Sequence, residues 1–178
     1  MPKLKLLILD AGVVIKLHEM KLWTAVIDKF EVHLSSIVAH RESKYHQAKE
    51  DEWGEDIDFA HDIAPGKITV FEVPEQEILS FKSQFDANYF ADLDDGEAES
   101  LAMLVSVKED CRISSGDAIV YKILGNLNLG EQGISLEEIL QQCGLSRKME
   151  GFQYGKAFRQ QMTQVGANDM IQGRGRKP

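Results

Sequence analysis

Two cysteines in 178 residues, Cys111 and Cys143, are too few for the cross-linked framework on which small secreted domains rely. No apolar run approaches the roughly 20 residues of a membrane span, and the apolar stretch after Met1-Pro2-Lys3-Leu4-Lys5 is too short for a signal-peptide core. These absences point to the cytoplasm, with the cysteines reduced and packed. None of the five histidines forms a His-x-x-x-His pair or has a Cys-x-x-Cys partner, which removes the common zinc arrangements. A Gly-x-x-x-x-Gly-Lys-Ser/Thr loop is missing too, so there is no P-loop to cradle a nucleotide. Positive charge is scarce: 20 Lys and Arg stand against 29 Asp and Glu, and the net charge of -9 excludes coating of nucleic acid by bulk electrostatics.

What is present is an ordinary globular composition, 43% hydrophobic and 28% charged. The length suits one domain, at a size where roughly 70% of the unfolded surface is buried without help from a metal or disulfide. Charge is unevenly placed. Residues 145–178 carry seven basic and two acidic side chains, whereas everything before them has a net charge of -14. The chain therefore divides into a body over 1–150 and a basic C-terminal tail over 151–178. Weak periodicity and the glycines at 166, 173 and 175 predict that this tail is poorly ordered without a partner.

Leu4 to Ile15 is an apolar, β-branched run broken by Asp10-Ala11-Gly12, the pattern of a buried parallel strand ending at an acid. An amphipathic helix over Met20–Phe30 and a strand over Glu31–Leu34 follow, then a helix capped by Ser35 or Ser36 that runs through Val38 to Tyr45 and beyond. Residues 50–62 hold seven acids and no Lys or Arg, which predicts a solvated loop or helix end. Further strands are predicted over Ile68–Val73 and Cys111–Ser114. Helices are predicted from Glu75 to about Phe85, after a cap at Asp94 or Asp95, after Asp117, and from a Ser135 cap to Gln142. Strands alternating with helices imply a three-layer α/β/α sandwich around a mainly parallel sheet.

In such a sheet ligands bind beyond the carboxyl ends of the strands, so acids just after separate strands converge although distant in sequence. Asp10, Glu42, Glu97, Glu99 and Asp117 all occupy such places. Gathered carboxylates repel, and a divalent cation is the usual relief. The chemistry that such a centre serves is metal-assisted attack of water on a phosphodiester. Oxygen-only ligands favour Mg²⁺ or Mn²⁺ over zinc.

The wording around these acids carries a resemblance. LLILDAGVVIKL is similar to the opening strand of the PIN-domain family, and SSIVAHRE resembles its second motif, with Ser36 followed six residues later by Glu42. LDDGEAESLAMLV resembles the L-D-x-G-E-A-E-A-I-A-L-A pattern of a PIN-like subgroup of uncharacterised nucleic-acid-binding proteins, and flap endonucleases contain a similar Gly-Glu-Ala-Glu segment. CRISSGDAIVYKILGNL is similar to the fourth motif, and GEQGISLEEILQQCGL to a late helix of the family. The resemblance spans roughly residues 4–145 and implies that the 1–150 body is a PIN-like domain.

By that resemblance Asp10, Glu99 and Asp117 are the principal metal ligands and Glu42 completes a catalytic quartet. Glu99 is preferred to Glu97 because its 18-residue separation from Asp117 matches the family's third-to-fourth distance. Ser36, Glu97 and Ser115 support these groups by hydrogen bonds or extra charge. Lys122 is the nearest basic residue after Asp117 and takes the substrate-binding role. The implied activity is a Mg²⁺- or Mn²⁺-dependent endoribonuclease acting on RNA, of the kind found as the toxin of a toxin-antitoxin pair. A small basic antitoxin-like partner would then dock on the acidic body, and the chain would form a homodimer. The alternative implied by the same resemblance is a catalytically inactive PIN-like binding or regulatory module. A haloacid-dehalogenase-like phosphatase also shares a strand-Asp-x-Gly-Val-Val start. Here, however, Gly12 stands where its second acid belongs, and Tyr121 where a further acid is expected.

Overall fold

Asp10 divides the opening apolar run, leaving strand β1 (Leu4–Leu9) before it and helix α1 (Ala11–Glu19) directly after it. The computed structural model describes residues 3–43, 45–46, 54–107 and 110–178, so residues 50–53 of the acidic 50–62 stretch, Trp53 among them, lie outside the described residues. Lys21 adopts φ 58° and breaks the first helical region, which resumes as α2 (Trp23–Lys29) before β2 (Phe30–Ser35). The Ser35 hydroxyl accepts from Val38 N at 3.0 Å, but the helix it caps is one π-type turn, Val38–Glu42, and stops short of the predicted Tyr45. A small antiparallel pair, β3 (Tyr45–His46) and β4 (Glu55–Asp56), leads to a short α3 (Ala60–Ile63).

The second half of the chain continues the alternation with β5 (Ile68–Phe71), α4 (Glu75–Lys82), α5 (Asp95–Ser106), β6 (Cys111–Ser114), α6 (Ala118–Asn126), α7 (Leu136–Gln142) and α8 (Lys156–Ile171). Caps explain two of the starts. Asp94 accepts from Glu97 N at 2.8 Å while Glu97 reaches back to Asp94 N at 3.2 Å, and Ser135 with Glu138 repeats this reciprocal arrangement at α7.

Strands β5, β2, β1 and β6 lie side by side in that order, all parallel. Because side chains alternate along a strand, β1 sends Leu7 and Leu9 to one face of the sheet and Ile8 to the other. The first face is covered by α1, α2 and α7 through Val14, Leu17, Val26, Ile27 and Ile139; the second by α5 and α6 through Leu101, Leu104, Val120 and Ile123. The protein is thus an α/β/α sandwich. Among the described residues no helix is long and apolar enough to cross a membrane.

The tail differs from expectation. Residues 156–171 form α8, which packs along α6, and the chain end returns across the loop after α4 with Lys177 N donating to Gln84 O and Asp86 N to Gly175 O, each at 2.9 Å. Its periodicity is weak because Gly166 is its one buried residue. The contact there is made by backbone approach as well as by the part-buried Phe158 and Met162, and an apolar pattern cannot report backbone approach. Two of its cations are also spoken for: Arg159 forks onto Glu138 at 2.7 and 2.8 Å, and Arg174 pairs with Asp169 at 2.8 Å.

Candidate metal centre

Register brings the first two groups together. Leu9 lies opposite Ser114 in the β1–β6 pair, so the chain leaves the sheet with Asp10 and Ser115 as neighbours, and Asp10 N still donates to Ser114 O at 3.0 Å. Both side chains are held. Asp10 Oδ1 accepts from Ala11 N at 2.6 Å, and the Ser115 hydroxyl lies 3.0 Å from Asp10 Oδ2 and 3.2 Å from Glu97 Oε1. Ser115 Oγ also accepts from Asp117 N at 2.9 Å, which makes this serine the joint between β6, α5 and the start of α6. Behind it, the buried Tyr121 hydroxyl meets Ser115 N at 3.1 Å and Ser115 O at 2.8 Å and fixes the turn.

The third contributor is the first turn of α5. Ligand-capable oxygens of Asp10, Asp94 and Glu97 all lie within 4.8 Å of one another. Asp10 and Glu97 are only 3% and 1% exposed, whereas Asp94 faces solvent and forms the open side. Each carboxylate oxygen keeps a second lone-pair position beyond its hydrogen bond, so the bonds above leave room for a cation. An all-oxygen donor set of this kind could hold a hard divalent cation.

The electrostatics fit the same conclusion. Burial pushes the Asp10 carboxyl up to about 7, aided by the charges of Asp94 and Asp117 and opposed by the Ser115 and Ala11 hydrogen bonds. Glu97 is raised well above the carboxylate range, first by burial and then by Asp10, Asp94 and Asp117. Asp94 is raised by burial, with Asp117 and Asp95 adding to it. Protons on Asp10 and Glu97 therefore favour the folded state. Their contribution to stability is full below the ordinary carboxylate range and is lost as pH rises through about 7 and beyond. Metal-free protein should accordingly show a urea midpoint that falls from pH 6 to pH 8. Mn²⁺ should restore it at pH 8 and release roughly one proton or more per ion at pH 7, read by calorimetry in buffers of different ionisation enthalpy. A midpoint that rises over this range would remove the raised carboxyls from the account.

The other predicted residues surround this group. Asp117 is the exposed residue that precedes α6, and its charge acts on Asp10, Asp94 and Glu97. Lys122, one turn along α6, shares with Asp117, Asn88, Tyr89 and Asp92 a hollow of about 500 Å³. Glu42 stands on the other flank of α5, where its Oε1 accepts from Gly96 N at 3.3 Å. Its Oε2 is buried without a partner. Burial raises the Glu42 carboxyl, with Asp94 adding to the effect and Arg41 opposing it. A side chain at position 96 would displace the Glu42 carboxylate from its place against α5.

Glu99 points elsewhere. Its carboxylate accepts from Val73 N at 2.9 Å, from Ile37 N at 3.4 Å and from the Ser36 hydroxyl at 3.3 Å, joining the ends of β2 and β5 to α5. Two residues on a helix are separated by about 200°, so Glu97 and Glu99 face opposite ends of the sheet edge. The geometry selects Glu97 for the cluster and gives Glu99, with Ser36, a tethering role beside a second hollow of about 730 Å³ lined also by Arg41 and Lys82. Asp94 was legible in the sequence only as a cap. A cap uses one carboxylate oxygen, and the direction of the other depends on where the helix start sits over the sheet. Comparison of the chain with protein-family models and with curated proteins returned no match.

Proposed function

We propose that this chain is a PIN-type, Mg²⁺- or Mn²⁺-dependent endoribonuclease. The observation that carries the reading is the meeting of Asp10, at the carboxyl end of β1, with Asp94 and Glu97 from the first turn of α5, beside the carboxyl ends of the adjacent parallel strands β1 and β6. A divalent ion held there would activate water and stabilise the leaving oxygen of a phosphodiester. Within this reading Asp10, Asp94 and Glu97 hold the ion, and Ser115 orients Asp10 and Glu97 through its hydroxyl. Asp117 adds negative charge at the mouth, and Lys122 offers a cation to the RNA backbone in the adjoining hollow. The resemblance extends the proposal to a toxin-type nuclease masked by a small basic partner and acting as a homodimer.

A second reading follows from Ser115. Its hydroxyl already bridges Asp10 and Glu97, and both of these carboxyls are raised, so the pair is also a self-sufficient structural joint in a noncatalytic binding module. Glu97→Gln and Glu99→Gln separate the two. The nuclease reading expects Glu97→Gln to lose Mn²⁺ binding and cleavage of a labelled structured RNA. Glu99→Gln should instead retain Mn²⁺ binding and lose about 1–3 kcal/mol of stability, because an amide cannot accept all of the donors around it. Wild-type protein that binds no Mn²⁺ and cuts no RNA would leave the binding module as the better account.

A further inference from the structure

The site's outer wall comes from a part of the chain that supplies none of the cluster. Phe152–Tyr154 forms a 3-10 turn before α8. The Tyr154 ring lies against the backbone between Ser115 and Asp117, so closely that a Cβ on Gly116 would stand 2.9 Å from Tyr154 Cε1. At the far end of the ring, a Cβ on Gly12 would stand 3.6 Å from the Tyr154 hydroxyl and 3.8 Å from Asp10 Oδ2. The hydroxyl and the carboxylate therefore look into one small space beside Gly12, and glycines at 12 and 116 keep that space and the ring's seat open.

The turn is anchored on both sides. Phe152 meets Phe158 edge-on at 5.4 Å, Phe158 in turn meets Tyr121 at 6.3 Å, and Lys156 N donates to Glu137 Oε2 at 2.7 Å. A fixed phenol beside an acidic cluster is unusual company, because its oxygen gains nothing from neighbouring carboxylates while its O–H can donate. The hydroxyl, which also meets the Gln153 side chain, keeps its own proton for donation and lies close enough to Asp10 to meet an oxyanion that a cation has drawn to the cluster.

The geometry points to Tyr154 as a substrate-contacting residue of this site, its O–H donating a hydrogen bond to a phosphoryl oxygen of the nucleic acid held at Asp10, Asp94 and Glu97. The inference rests on the metal-dependent phosphodiester reading above. Tyr154→Phe tests it, since the ring against Gly116 is kept and only the donor is removed. Adenosine 5′-monophosphate, a phosphoryl probe that cannot be cut, is titrated calorimetrically into Mn²⁺-saturated wild type and variant. Mn²⁺ affinity and cleavage of a labelled single-stranded RNA are measured alongside.

The expected result is Mn²⁺ affinity unchanged within about twofold, affinity for the probe lowered about tenfold, and kcat/KM for RNA lowered at least as much. Equal probe binding by the two proteins, no probe binding by wild type, or a parallel loss of Mn²⁺ affinity would each overturn the assignment. Tyr154-dependent probe binding by a wild type that cuts no RNA would defeat the nuclease reading alone and leave the phosphoryl contact standing.

Discussion

Asp10→Asn is expected to make the metal-free protein more stable at pH 8 while abolishing the proposed Mn²⁺-dependent cleavage. The carboxyl is buried, raised to about 7, and faces the charges of Asp94 and Asp117, so ionisation there works against folding. An amide of nearly the same shape can still accept from Ala11 N and keep a partner in Ser115, so the hydrogen-bond frame survives without the charge. A gain of about 2–4 kcal/mol, several degrees or more in Tm, is expected, because burial holds this carboxyl at about 7, well above the ordinary carboxylate range. At the same time Mn²⁺ affinity should fall by about 100-fold or more, and RNA cleavage by about 1000-fold. Calorimetric titration with Mn²⁺ and thermal melts at pH 6 and 8 check both halves. A variant that is less stable and equally avid for Mn²⁺ would make Asp10 a structural cap for α1 and nothing more.

The second large effect lies where α8 crosses α6. Gly→Ala within a helix ordinarily stabilises by about 1 kcal/mol. At Gly166 the sign should reverse, because a Cβ there would collide with the backbone carbonyl of Lys122, and backbone cannot move aside as a flexible side chain does. Gly125 on α6 has the same relation to Thr163 O, so at these two points only glycine hydrogens stand between the helix backbones. Gly166→Ala should destabilise by about 1–3 kcal/mol, lowering Tm by several degrees, whereas Gln161→Ala on the exposed side of α8 should change it little. Because Lys122 lies at the contact and Asp117 begins the same helix, the variant should also disturb the hollow that the two line. A Gly166→Ala protein as stable as wild type would show that the helices can separate freely.

Much of this architecture is read directly from local residues. Cys111–Ser114 and the Ser135-capped α7 lie where composition and capping place them, because each depends on a few neighbours and a short periodic run. The helix after Ser35 was harder. Ser35 Oγ does accept from Val38 N, yet the turn widens and ends at Glu42, whose side chain accepts from Gly96 N, fifty-four residues on. The tail was harder still, because close packing of two helices through glycine leaves no apolar stripe to read.

The candidate site divides along the same line. Sequence alone determined that Asp10 ends the first strand, that an acid-rich helix start and Asp117 follow later strands, and that an alternating α/β chain brings such positions to one edge. Those conclusions depend on strand ends, caps and the parallel arrangement, all of which are local or topological. Only the tertiary structure decided which acids meet. Spacing to Asp117 favours Glu99 over Glu97, but the rotation of α5 about its axis is set by Glu99 locking onto Val73, Ile37 and Ser36, and that rotation turns Glu97 toward Asp10. Helix phase relative to a sheet is a property of contacts between distant segments, and so is the return of residues 152–154 that sets the Tyr154 phenol beside Asp10.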